Sequence, residues 1–141
     1  RVVAIDPFLG FEGRRILMPT PATLPAYRDA ARALFSSDGK PVSLIRDSYG
    51  FVAQRVLANI VNIACEIARM GIASPSDIDT AVRLGLGYPM GPLAWGDALG
   101  AAKILTILDN LLGNTGDPRW RASPWLKRRA QLGLSLLSPE A

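Results

Sequence analysis

One uninterrupted stretch, residues 51–70, most constrains how this chain can fold. It contains neither proline nor glycine over about five helical turns, and Gly71 follows where a left-handed C-cap belongs. Its apolar side chains occupy more than one helical stripe. They are Phe51, Val52, Val56, Leu57, Ile60, Val61, Ile63, Ala64, Ile67 and Ala68. A helix that is apolar around so much of its circumference is buried on two sides. We therefore predict a helix covered once by its own domain and once by a neighbour.

Start and stop signals predict four more helices after this stretch. They cover residues 75–84, 92–99, 101–112 and 125–132. Ser74-Pro75 and Ser123-Pro124 each place a hydroxyl cap before a proline at the first helical position. Gly85 is expected to end the first of the four helices. The pattern predicts a mainly α fold.

Residues 1–46 are patterned differently from the rest. Short apolar runs at 2–5, 15–18 and 41–46 are bounded by glycine, proline and charge, which is typical of strands. The apolar spacing of residues 24–35 predicts a helix, with Thr23 as its N-cap. We expect the strands at 15–18 and 41–46 to pair. The chain then divides into a strand-helix-strand piece, residues 1–46, and a helical domain, residues 47–141.

Composition excludes several kinds of chemistry. The chain has no histidine, which excludes Ser-His-Asp and Cys-His nucleophiles, imidazole bases and His-ligated zinc. The single cysteine, Cys65, cannot form an internal disulfide, and its apolar surroundings favour a small buried side chain over a reactive thiol. No apolar stretch is long enough to span a membrane. We expect a cytoplasmic protein without a membrane partner, and the start at Arg1 within an apolar run indicates a piece of a longer protein.

Four motifs superficially carry chemistry. Residues 85–91 match a variant dinucleotide fingerprint, but a helix precedes the glycines and Pro89 removes a backbone donor, so a structured turn is favoured. Asp77 and Asp79 lie two apart on a helix and point away from each other, which favours a helix-capping role for Asp77 over a metal pair.

The net charge of +4 is mild, so the cations in residues 119–129 indicate a solvated face and no nucleic-acid partner. Asp97, in a mostly apolar helix, is expected to form structural hydrogen bonds.

Two linked regions resemble the C-terminal helical domain of 3-hydroxyacyl-CoA dehydrogenases. The first is Asp47-Ser48-Tyr49-Gly50-Phe51-Val52-Ala53-Gln54-Arg55, where the family typically reads Asp-x-Pro-Gly-Phe-x-x-Asn-Arg. The second begins at Gly71 and continues through residues 85–93 and 97–100. The order and spacing of these blocks over about residues 40 to 110 carry the resemblance. Residues 14–46 also resemble the closing strand-helix-strand of the preceding dinucleotide-binding domain.

The resemblance implies a helical domain of the 6-phosphogluconate-dehydrogenase C-terminal type, and NAD-dependent oxidation of a 3-hydroxyacyl-CoA to the 3-ketoacyl-CoA. In the family, a His-Glu pair and a glycine-rich cofactor loop lie on the dinucleotide-binding domain. This chain has no histidine and no such loop. The resemblance therefore assigns it no catalytic, cofactor-binding or metal residue, and NAD is expected only in the parent enzyme, with an acyl-CoA substrate.

Some residues of an acyl cleft can be carried over from the family. Gln54 occupies the position of the family's substrate-positioning asparagine and is one methylene longer. Tyr88, Pro89, Met90 and Gly91 form the turn that faces the interdomain cleft in the family. These five residues are the cleft candidates.

The departures from the family pattern favour a degenerate second copy of the helical domain. Long dehydrogenases resembling those of bacterial phenylacetate breakdown carry two copies, and single-copy relatives dimerise through this domain. We expect the isolated chain to form a homodimer, and the parent to pack it against its first copy. The interface candidates are Phe51, Val56, Ile60, Ile63 and Ile67. The alternatives are a free-standing, non-catalytic binding or scaffold module of the same fold, and a helical domain that binds acyl-CoA alone.

Overall fold

A computed structural model describes residues 2–139 of the chain. Within that range the chain forms three short strands, six α-helices and one 3₁₀ turn. In chain order these are β1 (Val3–Ile5), β2 (Arg15–Pro19), α1 (Pro25–Ser36), β3 (Val42–Leu44), α2 (Val52–Arg69), α3 (Pro75–Leu86), α4 (Pro92–Leu99), α5 (Ala101–Thr115), the 3₁₀ turn (Pro118–Trp120) and α6 (Pro124–Leu132). The prediction of a mainly helical fold with a short N-terminal strand piece is confirmed. The chain divides into two compact units, residues 1–53 and 54–141.

The N-terminal unit contains a three-stranded sheet in the order β1-β2-β3. β1 runs antiparallel to β2, and β2 runs parallel to β3 with Arg15 opposite Val42. The predicted pairing of the second and third strands is therefore confirmed. The parallel pair is joined by α1, as a crossover connection requires.

The start of α1 differs from the prediction. Its N-cap is Leu24, which makes no side-chain cap bond. The Thr23 hydroxyl instead accepts a hydrogen bond from the Thr20 amide at 3.0 Å and donates one to the Val2 carbonyl at 2.6 Å. Thr23 was the wrong cap because Pro25 takes the first helical position, which makes Leu24 the N-cap. The helix contains no buried residue, and Leu34 on its predicted apolar face is 66% exposed.

The helical unit is built around α2. One side of this helix is buried, and besides Asn62 its members are Leu57, Ala58, Val61, Ala64, Cys65 and Ala68. The remaining helices and the segment after α6 complete the core with Leu93, Ile104, Leu108, Leu111, Trp125, Leu126 and Leu136. These side chains cover the first of the two apolar sides that the sequence predicts for α2.

Glycines end these helices by adopting left-handed conformations, though not always where predicted. α3 continues through Gly85 to Leu86 and ends at Gly87, which has φ +67°. α5 likewise continues through Gly113 to Thr115 and ends at Gly116, with φ +68°. In both cases the first glycine has ordinary helical geometry, and the second supplies the C-cap. The predicted ends at Gly85 and Leu112 were therefore too early.

Candidate functional site

The turn between α3 and α4 is held by a buried carboxylate. Asp79, on α3, is 8% exposed. Its Oδ1 accepts a hydrogen bond from the Leu93 amide at 2.7 Å, and its Oδ2 accepts one from the Ala94 amide at 2.9 Å. These amides belong to the first turn of α4, whose positive dipole end favours a negative charge. Asp79 thus caps α4 from a different helix.

A close backbone approach fixes the same turn. A Cβ added at Gly91 would lie 2.2 Å from Cγ of Asp79, so that no larger residue fits without displacing the carboxylate. Tyr88 packs edge-on against Trp95, with ring centroids 6.1 Å apart. The turn between α3 and α4 is therefore held by two contacts, that of Gly91 with Asp79 and that of Tyr88 with Trp95.

The five cleft candidates lie in two places within the helical unit. Tyr88 is half-buried, Pro89 and Met90 are exposed, and Gly91 is buried against Asp79. Gln54 lies in the first turn of α2 and is half-buried. Sequence reasoning missed Asp79, the residue that positions the turn. A signal was present, because the Gly91-Pro92 start of α4 has no capping side chain of its own.

The fingerprint-like segment, residues 85–91, does not fit a dinucleotide pyrophosphate. Phosphate binding would use the free amides at the start of α4. The amides of Leu93 and Ala94 already donate to Asp79. The structured turn favoured by the sequence is the observed arrangement.

The two aspartates of α3 have separate roles. The Asp77 amide donates to the Ser74 hydroxyl at 3.2 Å, and the Asp77 carboxylate accepts from that hydroxyl at 2.6 Å. The predicted cap at Asp77 is therefore confirmed, while Asp79 faces α4. Among residues 2–139 no cluster of acidic or cysteine side chains could hold a metal ion.

Asp97 and Cys65 are structural. The Asp97 carboxylate accepts hydrogen bonds from the Leu136 amide at 2.8 Å and from the Ser135 hydroxyl at 2.5 Å. It thereby fixes the segment that follows α6. Burial raises the pKa of the Cys65 thiol to about 12. The thiol therefore stays protonated, as expected of a buried side chain.

The second apolar side of α2 is exposed along one stripe. Val56 and Ile63 are 52% and 54% exposed, Met70 just past the helix is 59% exposed, and Ile60 and Ile67 are half-buried. At 100° per residue these five residues share one face, opposite the buried one. Met70 continues the spacing and was missed by the sequence reasoning. Phe51, by contrast, is buried and precedes the helix, so it is withdrawn from the interface candidates. We call the set 56, 60, 63, 67 and 70 the α2 stripe.

Comparison with known proteins identifies the family. The family model described as "3-hydroxyacyl-CoA dehydrogenase, C-terminal domain" matches residues 50–136. The chain therefore belongs to the family of 3-hydroxyacyl-CoA dehydrogenase C-terminal domains, as the sequence motifs indicate.

Two curated relatives illustrate the match. The chain is 47% identical over 94 residues to the 3-hydroxyadipyl-CoA dehydrogenase of Escherichia coli, covering 67% of this chain and 20% of that enzyme. It is 37% identical over 101 residues to a probable 3-hydroxybutyryl-CoA dehydrogenase of Bacillus subtilis, covering 72% of this chain and 35% of that protein. The chain thus spans only about a fifth to a third of the length of these relatives.

Solved structures extend the likeness into the N-terminal unit. The 3-hydroxybutyryl-CoA dehydrogenase of Escherichia coli K12 matches 93% of this chain and 27% of its own, with a TM-score of 0.82 and 38% identity. The (S)-3-hydroxybutyryl-CoA dehydrogenase of Ralstonia eutropha matches 92% of this chain and 48% of its own, with a TM-score of 0.84 and 26% identity. No helix within residues 2–139 has the length and hydropathy needed to cross a bilayer.

Proposed function

We propose that this chain is the degenerate second copy of the helical domain in a long, NAD-dependent 3-hydroxyacyl-CoA dehydrogenase. Its role is to pack against the first copy, and in isolation it pairs with a second molecule of itself. The observation that carries this proposal is the α2 stripe, an apolar row in which Val56, Ile63 and Met70 are each more than half exposed.

The lengths of the relatives support a two-copy parent. From the matched residues and the shares they cover, the Escherichia coli enzyme has about 470 residues and the Bacillus subtilis protein about 290. The difference, about 180 residues, is larger than this chain of 141. A second copy of the helical domain with its strand piece fits within that difference.

The geometry of α2 supports a pairing role. The stripe from Val56 to Met70 spans about 21 Å along the axis, at 1.5 Å per residue. Exposed aliphatic side chains in a continuous row on a rigid helix suit packing against another helix. A second copy presents the same row, so the surface is complementary to itself under two-fold symmetry.

The chemistry of the parent belongs elsewhere in its sequence. The start of α4 has no free amides for a pyrophosphate, and the chain has no histidine for the family's His-Glu pair. We therefore expect no oxidation of 3-hydroxyacyl-CoA by the chain alone. Residues 54 and 88–91 are proposed to line one wall of the parent's acyl cleft. A place in phenylacetate breakdown is part of the same proposal.

Light scattering on the purified chain tests the pairing role. At tens of micromolar protein we expect a mass of about twice 15.1 kDa. A double variant, Val56→Asp with Ile63→Asp, should dissociate at a concentration at least roughly tenfold higher. Leu84→Asp is the matched control, because Leu84 is an exposed aliphatic residue on α3, away from the stripe.

Two outcomes would contradict the proposal. One is a monomer at tens of micromolar for the unchanged chain. The other is equal dissociation in the stripe variant and in the Leu84 control. Circular dichroism of each variant shows whether it is folded, so that unfolding is not mistaken for dissociation.

A further inference from the structure

A basic groove lies in the helical unit beside the α2 stripe, with which it shares Ile63. It has a volume of about 860 Å³ and is bounded by α2, the 3₁₀ turn and α6. Its cationic side chains come from all three elements and their connections, and they are Arg69, Arg119, Arg121, Lys127 and Arg128. A single carboxylate, Glu66, lies among them. The lining thus has an excess of positive charge.

The floor of the groove is built from satisfied polar groups. Asn62 is 8% exposed, and its Nδ2 donates to the Arg121 carbonyl at 3.0 Å. Its Oδ1 accepts from the Ser123 amide at 2.8 Å. The Ser123 hydroxyl in turn donates to Glu66 at 2.9 Å. This network ties the segment before α6 to α2, so that the groove is formed before any ligand arrives.

Most of the groove's positive charge is not neutralised by the protein. Glu66 is paired with Arg69 at 2.5 Å, and this guanidinium lowers the pKa of the Glu66 carboxyl. Arg119 is paired with Asp117. Within the described part of the chain, the other three groove cations, at positions 121, 127 and 128, form no ion pair. Such a cluster attracts anions.

We propose that this groove binds a compact organic anion with two or more phosphate groups. Guanidinium groups match phosphate oxygens in a bidentate geometry, and neither Arg121 nor Arg128 forms an ion pair within residues 2–139. The volume lies within the range of roughly 300–1,000 Å³ typical of small-molecule sites. The N-terminus of α6, capped by Ser123, adds favourable dipole charge. A groove of this size suits a small molecule better than a nucleic-acid strand.

Two sources share this chemistry: the 3′-phosphate and pyrophosphate of CoA, and free nucleoside diphosphates. Calorimetry on the full chain with adenosine 3′,5′-bisphosphate, CoA and ADP distinguishes them. Tighter binding of the bisphosphate and CoA assigns the groove to CoA, and equal or tighter binding of ADP assigns it to free nucleotides. Either result supports the proposal.

A pair of charge-matched double variants locates the binding. Arg121→Gln with Arg128→Gln should weaken binding by at least about tenfold, since it removes two charge-assisted contacts. Arg83→Gln with Lys103→Gln removes the same charge from exposed positions of the same unit, outside the groove, and should change binding less than about twofold.

The proposal is overturned if none of the three ligands, adenosine 3′,5′-bisphosphate, CoA and ADP, binds at millimolar concentration, or if the two double variants weaken binding equally. It is also overturned if inorganic phosphate binds as tightly as the bisphosphate, or if a short single-stranded oligonucleotide binds more tightly than every nucleotide tested. The unfolding temperature of each variant confirms that it is folded.

Discussion

The two units of this chain bury their apolar side chains very differently. Of the buried apolar residues within 2–139, only Leu17 and Phe51 precede residue 54. The helical unit has a continuous core drawn from α2 to α6. In the N-terminal unit, α1 has no buried residue at all. One unit is organised by a core of its own, and the other by strand pairing and surface contacts.

This difference shows what each unit depends on. Burial of apolar surface is the main favourable term in folding, and a small unit can bury little of it. The N-terminal unit holds together by its backbone ladder and by contacts such as Arg15 with Asp38. It is therefore expected to be the less stable of the two. This is consistent with the resemblance of residues 14–46 to the closing strand-helix-strand of a dinucleotide-binding domain.

Native-state hydrogen exchange tests this contrast with the largest expected effect. The amides of Arg15 and Ile45 donate to β-ladder partners at 2.9 Å. After correction for intrinsic exchange rates, we expect the equilibrium constant for opening to be about a thousandfold larger at Arg15 and Ile45 than at Val61 and Leu108. The free energy of opening ranges from near zero in weakly held segments to the full free energy of unfolding in a core. NMR exchange measurements report all four. Equal protection of the four amides would mean that the two units open together, and it would contradict the lower stability expected of the N-terminal unit.

The helical unit should be sensitive to the loss of Asp79. Asp79→Ala leaves two amides at the start of α4 without their carboxylate partner, and we expect a loss of about 3 kcal/mol in the free energy of unfolding. Asp77→Ala is the control on the same helix and should cost less than about 1 kcal/mol, since Asp77 is exposed. Urea unfolding measures both. Equal losses would show that Asp79 is an ordinary surface charge.

Much of the helical unit could be predicted because its signals are local. Prolines and hydroxyl caps mark the starts of α3 and α6, and Ser74 and Ser123 bond the amides of Asp77 and Trp125 as expected. The sequence also predicted a second apolar side on α2. That side is present, and within the described chain Val56, Ile63 and Met70 on it are exposed while Ile60 and Ile67 are half-buried.

The missed features depend on contacts between distant residues. Asp79 meets amides 14 and 15 positions away, and only the turn between α3 and α4 brings them together. The Thr23 hydroxyl likewise donates to the carbonyl of Val2, 21 positions away, and does not cap α1. Helix periodicity contains no information about such partners, so these roles required the structure.

Two glycines test how tightly the helical core is packed. A Cβ added at Gly96 would lie 2.5 Å from Leu136 and 2.7 Å from Val61, whereas one added at Gly113 meets nothing within 4 Å. Gly96→Ala should therefore destabilise by about 2 kcal/mol through overpacking. Gly113→Ala should stabilise by about 0.5 kcal/mol, because alanine loses less backbone entropy in a helix. Thermal unfolding of the two variants shows whether each change lowers or raises the stability. A neutral Gly96→Ala would show a looser core than described.

Mild acid should weaken the N-terminal unit through one carboxylate. Arg15 holds Asp38 with two hydrogen bonds, at 2.6 and 2.9 Å, and this contact lowers the pKa of Asp38 below its usual 3.8. The stabilisation is present above the usual value and is lost as pH falls through the lowered one. Opening of β2 and β3 should therefore become easier below about pH 4.

The acid effect should be small, because Asp38 is exposed to solvent. NMR-detected urea titrations at pH 6 and pH 3 measure it through the strand amides. Asp38→Asn should remove most of the difference between the two pH values. Asp29→Asn should not, although Arg28 also lowers the pKa of Asp29, because these neighbours in sequence meet whether or not the sheet is formed. If the difference between pH 6 and pH 3 is unchanged in Asp38→Asn, other carboxylates cause the pH sensitivity. The Arg15–Asp38 ion pair then does not contribute measurably to the stability of this unit.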